Sequence, residues 1–408
     1  MLRIEGMGLK DSISRDPTDN ELAQMEALLE EGMNQGYVGM STDGLPFHYL
    51  ANEPNTDKRI PTQFAKFGEM KRLMKVLRKY DRVWQTTPII EKRSKALLFF
   101  LLTSGRLFGK TLKTSALSAI EFVLTPDAHK GLLGFAALMN SRLFKGNIHF
   151  QALGTNFRIW SDGIVSPLYE ELDSTCELIS KEYDDVEGRK ALLNNPEFIR
   201  RFREDWHYGR RGRNFAHLKT KLGLPDNLVV RDLHLMIFDG APVSEWDGES
   251  MQVVFDRLER FQRGAADEAR SDAERDAFEK FPRPVGDDAE FMLHMMREYD
   301  KSFRFWVDVG NAGNHATLDL LLYKHAMPGF NDSGAHITNM AFFDANLMSL
   351  KLAQAQSMDT VATMVKRLTR EPAAFFGLDV GTLEIGAQAD ITMLDPEVLK
   401  TWDSNDNR

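Results

Sequence analysis

Thr18-Asp19-Asn20-Glu21-Leu22 opens, and Gly36-Tyr37-Val38-Gly39-Met40-Ser41 closes, the stretch from which the fold is read. A threonine followed three positions later by glutamate is a capping-box start, and it comes directly after Pro17. Leu22, Met25, Leu28 and Leu29 then recur on one helical face until Gly32 and Gly36 end it. Tyr37 to Ser41 is short and apolar, the mark of a buried strand. The same alternation continues outward. Phe64 to Tyr80 predicts a helix and Val83-Trp84-Gln85-Thr86-Thr87 a strand. Ser115 to Val123 follows as a strand, His129 to Leu143 as a helix and Ile148 to Leu153 as a strand. Ala316 to His325 predicts a further helix, and Met327-Pro328-Gly329-Phe330-Asn331 a last strand. Strands alternating with helices build parallel sheets with helical cover, so the expected class is α/β.

Between these runs lies a different kind of sequence. Asn195 to Tyr208 is aromatic and charged, and Glu259 to Lys280 is dense in Arg, Asp and Glu. The expected organisation is a partial barrel over 1–161 and a mostly helical insertion and candidate lid over 162–304. The last barrel strand and helices follow over 305–376, and the start of a small β-domain over 377–408.

The 408 residues carry a formal charge of -9 at a sequence pI near 5.7, which argues against a nucleic-acid backbone as partner. Arg210, Arg211 and Arg213 are too few to change this, and are expected to be solvated. Cys176 is the single cysteine, which excludes an intrachain disulfide and fits a reducing compartment. The apolar run Ala96–Leu102 falls far short of the ~18 residues of a membrane span. The first residues lack the apolar core of a signal peptide, so the expected location is the cytoplasm, with no membrane partner.

Candidate chemistry concentrates after the last strand. Asn331-Asp332-Ser333-Gly334-Ala335-His336 puts a carboxylate where a barrel strand opens into its loop, the end at which such barrels react. A carboxylate there can bind a divalent metal and accept a proton from water. Alone, the run favours a turn with a capping aspartate.

Three pieces in order change that reading. They are the Asp-x-Gly-Ala-His run at Asp332–His336, Leu368-Thr369-Arg370-Glu371-Pro372-Ala373, and Gly381-Thr382-Leu383-Glu384-Ile385-Gly386-Ala387-Gln388-Ala389-Asp390. Together they resemble the amidohydrolase superfamily, in the branch of D-aminoacylases and N-acyl-D-amino-acid deacylases. Gly36 to Leu45 is similar to the same family's Gly-Ala-x-Gly-x-Ser-Ser/Thr-Gly-Leu segment. The resemblance implies a (β/α)8 TIM-like barrel and a metal-dependent hydrolase of linear amide bonds. It implies zinc or another divalent metal, and a small N-acyl amino acid as substrate. It places Asp332 as catalytic acid–base group and metal ligand, and Ser41, Thr42 and His336 against substrate. His149 is a candidate metal ligand on its strand, and Asp390 caps a turn between two short strands around Gly386.

The family pattern is incomplete. No His-x-His pair occurs in the sequence, Gln85 stands where relatives carry an imidazole ligand, and only about five of the eight strands of a closed barrel are found. The expectation is a barrel lacking its leading strands, with little or no turnover by itself. Two alternatives stay open: a non-catalytic barrel-like binding protein, or one half of a two-chain enzyme. A homo-oligomer is a further partner expectation, because missing strands would leave a pairing edge. His48, His129, His207, His217, His234, His294 and His325 get a surface or core role, and His315 a substrate contact or a helix cap.

Overall fold

The computed structural model describes residues 1–403 except 47, 51–53, 56–57, 89–92, 212–214, 222–228, 332–338 and 341. Asp332 and His336 therefore lie outside the described residues.

Five strands form one parallel sheet: β1 (Gly39–Asp43), β2 (Val83–Thr87), β3 (Lys113–Ala119), β4 (Asn147–Leu153) and, after a long excursion, β8 (Ala326–Phe330). They lie in the order β1-β2-β3-β4-β8. The sheet is that of an α/β fold, and no closed barrel is formed among the described residues. Gly39 is needed for the first pairing, since a Cβ there would sit 2.0 Å from the Val83 carbonyl oxygen.

The connecting helices are α1 (Leu2–Met7), α2 (Asp19–Asn34), α3 (Phe67–Lys79), α4 (Arg93–Leu101) and α5 (Ala128–Met139). The capping box forms as expected: Glu21 N donates to Thr18 Oγ1 at 3.3 Å, and Thr18 N to Glu21 Oε2 at 2.7 Å. Met25, Leu29 and Met33 of α2 and Leu73, Met74 and Leu77 of α3 share a core with Met40, Trp84, Ile148 and Phe150 of the strands. Because strand residues alternate, this core takes one face of the sheet and leaves the other to polar side chains.

The excursion carries a second sheet, of β5 (Phe157–Asp162), β6 (Met236–Phe238) and β7 (Arg304–Gly310), antiparallel in the order β5-β7-β6. Around it lie α6 (Asp173–Ile179), α7 (Val186–Leu193), α8 (Pro196–His207), α9 (Met251–Gln262), α10 (Asp272–Lys280) and α11 (Asp288–Tyr299). β7 thus belongs to the insertion's own sheet. β3 stops at Ala119 instead of continuing to Val123, because Val123 N donates to Val309 O and Glu121 N to Asn311 Oδ1, drawing the chain towards β7. The insertion's core also takes in Ile120, Leu153 and Phe330 at the C-terminal ends of β3, β4 and β8.

The chain closes with α12 (Thr317–Leu322), α13 (Ala345–Gln356), α14 (Met358–Leu368), α15 (Arg370–Phe376) and α16 (Pro396–Thr401). α13 and α14 are separate helices because Ser357 is extended and its side chain caps α14, accepting from Thr360 N at 3.1 Å. The expected strands around Gly386 do not form among the described residues. Leu383 and Ile385, and Ile391 and Met393, alternate as strands would, but stand exposed with no strand opposite them to complete a ladder.

Candidate active-site face

Register places Ser41, Gln85, Ser115 and His149 in one row across β1 to β4. Pairing of Phe150 with Ala326 brings His149 level with His325, just before β8. This row lies on the face opposite α2 and α3, and hydrogen bonds link polar side chains along that face. Ser41 Oγ donates to Gln85 Oε1, and Gln151 Nε2 donates to Ser115 Oγ at 2.8 Å. Strand alternation sends Thr42 to the other face. There its hydroxyl accepts from Trp84 Nε1 at 2.9 Å and donates to Thr86 Oγ1 at 3.1 Å, inside the helix-covered core. Of the two residues expected beside substrate, the structure puts Ser41 on the open face and Thr42 within the packing.

His149 Nε2 lies 2.9 Å from Asn147 Oδ1, and its ring packs edge-on against Phe375 of α15 at 5.3 Å. Burial, helped by the neighbouring His325 and Arg367, pushes its pKa down to about 4, so the ring is neutral near pH 7. It stands at the N-terminal end of β8. The C-terminal end of that strand, from which the chain passes into Asp332, is about 16 Å further along at the usual strand rise.

Among the described residues, His207, Asp287 and Asp288 are the one group of three whose ligand atoms converge closely enough for a metal ion. The surroundings do not fit one. Asp287 accepts from Arg203 Nη2 at 2.8 Å and Arg211 Nη1 at 3.3 Å, and Asp288 from Arg210 Nη1 at 2.8 Å and Arg211 Nη2 at 3.0 Å. Asp287 Oδ1 also caps α11 through Glu290 N at 3.1 Å. Three guanidinium groups already outweigh two carboxylates, so a dication would meet net repulsion. Arg211 keeps the exposed position expected of it, while Arg210 is partly buried, and both tie the end of α8 to α11 through these ion pairs. The described residues therefore offer no ligand set for a hydrolytic metal.

The C-terminal end of β1 holds a pair that the sequence did not single out. Asp43, the last residue of β1, accepts from His48 Nδ1 through Oδ2 and from Leu45 N through Oδ1 at 2.8 Å. Five residues across a turn carry no periodic signal, and a turn-forming Asp-Gly explains Asp43 without any chemistry.

No family model matches the chain. Uncharacterised proteins of Mycobacterium tuberculosis (strain ATCC 25618 / H37Rv) and Mycobacterium bovis are each 29% identical to it over 387 residues, 93% of this chain and 56% of theirs. The chain thus spans about half the length of the curated relatives it matches. A dihydroorotase of Geotalea daltonii is 44% identical over 50 residues, 12% of each chain. Among solved structures, a D-aminoacylase that defines a novel subset of amidohydrolases aligns with TM-score 0.47 and 16% identity over 95% of this chain and 59% of its own. An N-acyl-D-glutamate deacylase from Bordetella bronchiseptica, complexed with zinc and a phosphonate inhibitor, aligns with TM-score 0.47 and 13% identity, again over 95% and 59%. The chain is similar to the D-aminoacylases. What it does has to be argued from its own residues.

Proposed function

We propose that this chain is part of a hydrolase of linear amide bonds whose substrate is a small N-acyl amino acid, built on a TIM-like barrel frame. The observation that carries the reading is the run Asn331-Asp332-Ser333-Gly334-Ala335-His336, which continues directly from the C-terminal end of a parallel strand. Loops at that end of such sheets hold the reacting groups. Asp332 is assigned the proton transfer, taking a proton from the attacking water and returning it to the leaving nitrogen. Ser41 and Gln85 give the open face of the sheet hydrogen-bonding capacity suited to a polar ligand. Relatives of this kind use a divalent metal to activate water. The described residues do not converge on one.

Gln85 and the absence of a His-x-His pair favour a second reading, in which the chain binds an N-acyl amino acid without cutting it. One set of measurements separates the two. Zinc retained after dialysis, binding of N-acetyl-D-leucine and release of free leucine are followed in the wild type and in Asp332→Asn. The hydrolase reading expects zinc affinity to fall about tenfold or more in Asp332→Asn, with whatever leucine release the wild type shows disappearing. Saturable binding without release at any zinc concentration selects the non-catalytic reading. Zinc affinity and release left unchanged by Asp332→Asn would remove the carboxylate on which the hydrolase rests.

A further inference from the structure

The turns that lead into β3 and β4 carry two copies of one short pattern, Ser104-Gly105-Arg106-Leu107-Phe108 and Asn140-Ser141-Arg142-Leu143-Phe144. Both turns are tight, with positive φ at Gly109 (86°) and Lys145 (51°). They are stitched side by side. Gly105 N donates to Lys145 O and Arg106 N to Phe144 O, both at 3.1 Å, and Ser104 Oγ donates to Phe144 O at 2.6 Å. In each turn the phenylalanine packs, partly buried, against the helix-covered core, and the leucine before it stays outside. Leu107 and Leu143 are 56% and 64% exposed. Cations surround them. Residues 102–113 and 139–147 hold Arg106, Lys110, Lys113, Arg142 and Lys145 and no Asp or Glu, in a chain whose formal charge is -9. Asp81 meets Lys110 at 3.2 Å and Lys113 at 2.8 Å. Arg106, Arg142 and Lys145 are exposed and make no ion pair among the described residues.

We propose that these twin turns dock the protein on an anionic phospholipid surface. Leu107 and Leu143 enter the headgroup boundary, and Arg106, Lys110, Arg142 and Lys145 meet lipid phosphates and carboxylates. The contact is independent of the hydrolase reading, because the turns precede their strands and so lie at the end of the parallel sheet opposite the one that leads to Asp332. It departs from the expectation of no membrane partner, and it needs no spanning segment: among the described residues no helix is long and apolar enough to cross a membrane. Apolar tips flanked by guanidinium and ammonium groups suit the bilayer interface, where anionic headgroups lie directly above acyl chains. Attraction there accumulates charge by charge and needs no shaped counterpart, whereas a protein partner must match on the order of 800 Å² of surface on each side. The rest of the chain is acidic on balance and is repelled by such a membrane. At physiological ionic strength that repulsion fades over about 8 Å, so the cations nearest the lipid decide the outcome. Each of them strengthens binding about fivefold, and each leucine about tenfold on burial.

The test is flotation of the full chain with vesicles of phosphatidylcholine alone and of phosphatidylcholine containing about one third phosphatidylserine. The wild type should float with the anionic vesicles in low salt and stay behind with the neutral ones. Salt at 1 M, where screening acts over about 3 Å, should release it. Arg106→Gln combined with Arg142→Gln should weaken binding to the anionic vesicles about twentyfold. Leu107→Ser combined with Leu143→Ser should weaken it about tenfold or more while keeping the salt dependence. All four side chains are exposed, so the melting temperature should hold. Were either pair of changes to prevent folding, Arg142→Gln alone should still cost about fivefold. Failure to float with anionic vesicles in low salt, equal flotation with neutral ones, or binding indifferent to the arginine changes overturns the proposal. Retention on an immobilised peptide of alternating glutamate and leucine, without flotation, gives the turns to a protein partner and overturns it as well.

Discussion

The two modules of the chain bury charge in different ways. In the insertion, the most deeply buried charges neutralise one another, although Arg231 and Arg297 reach backbone carbonyls. Arg257 and Glu274 are 3% and 0% exposed and meet at 2.7 Å, with Trp246 Nε1 also donating to Glu274 at 2.8 Å. Arg189 is fully buried and forks onto both oxygens of Asp300 at 2.8 Å, fastening α7 to the turn before β7. In the sheet module, Arg3 pairs with buried Glu69 much as the insertion's arginines do, but Arg78 and Arg367 bond chiefly to backbone carbonyls. Arg367 donates to Leu321 O, Tyr323 O and Ala326 O, and Arg78 to Lys110 O and Leu102 O. The insertion closes on itself, with aromatic packing such as Phe238–Trp246 and Phe202–Trp206 around its ion pairs. The sheet closes on one face alone and keeps a polar row on the other. Groups able to meet a ligand are found where packing is incomplete, at Ser41 and Gln85.

Glu274→Ala should be the most damaging single change. It removes one of the two carboxylates that hold the Arg257 guanidinium, leaving Glu249, and strands the Trp246 indole N–H in an apolar core, at a cost of about 3 kcal/mol. Urea unfolding should show that loss, and hydrogen exchange should place it in α9 and α10 while the amides of β1 to β4 stay protected. Equal deprotection of both modules would dissolve the distinction between them. Arg367→Met should come next, at about 2–3 kcal/mol, since several carbonyls lose their donor. Exchange should then rise around α12 and β8, and Arg367→Lys should recover little of it, because one ammonium cannot span the donor positions of a guanidinium fork.

The sheet module was largely legible because its signals are local. Apolar alternation located β1, β2, β4 and β8 to within two or three residues, and Thr18 with Glu21 fixed where α2 begins. The insertion was legible as helical but not as a sheet. β5 and β7 are joined across roughly 150 residues, and a pairing of that span leaves no periodic trace in either strand. The ion pairs of Arg210 and Arg211 went unseen because their partners, Asp287 and Asp288, lie far along the chain. The strands foreseen around Gly386 were read from a correct alternation, but alternation shows only that a segment could pair. His48 went unnoticed because its bond to Asp43 depends on a turn.

Each module also holds a histidine that burial keeps neutral, which provides a comparison by pH. Burial pushes both His149 in the sheet and His294 in α11 down to about 4, and His294 Nε2 has no hydrogen-bond partner while its ring lies 3.8 Å from that of Phe281. An unfolded histidine titrates near 6.5, so the fold prefers the neutral ring in both places. The resulting stability is complete above about pH 6.5 and is lost as pH falls towards 4, because the unfolded chain takes up the proton first. Each site should account for about 1–2 kcal/mol of acid destabilisation between those limits. Unfolding midpoints at pH 7.5 and 4.5 should converge partly in His149→Gln and partly in His294→Leu. A pH slope unchanged in both variants would mean that neither ring is neutral in the native state.

The smallest effect should come from Arg200, although it pairs with two carboxylates just as Arg257 does. It reaches both Glu197 and Glu204 along α8, the same (i, i+3) and (i, i+4) spacing that stabilises isolated helices. All three side chains are more than half exposed, so each keeps its water when the others are removed, and the long side chains lose rotamer freedom in pairing. Arg200→Ala should therefore move the melting temperature by no more than about a degree, and 1 M salt should erase the remainder, since screening then acts over about 3 Å. Glu274 and Arg200 differ in burial far more than in number of partners. A loss from Arg200→Ala comparable to that from Glu274→Ala would mean that partner count, and not removal from water, sets what an ion pair is worth in this insertion.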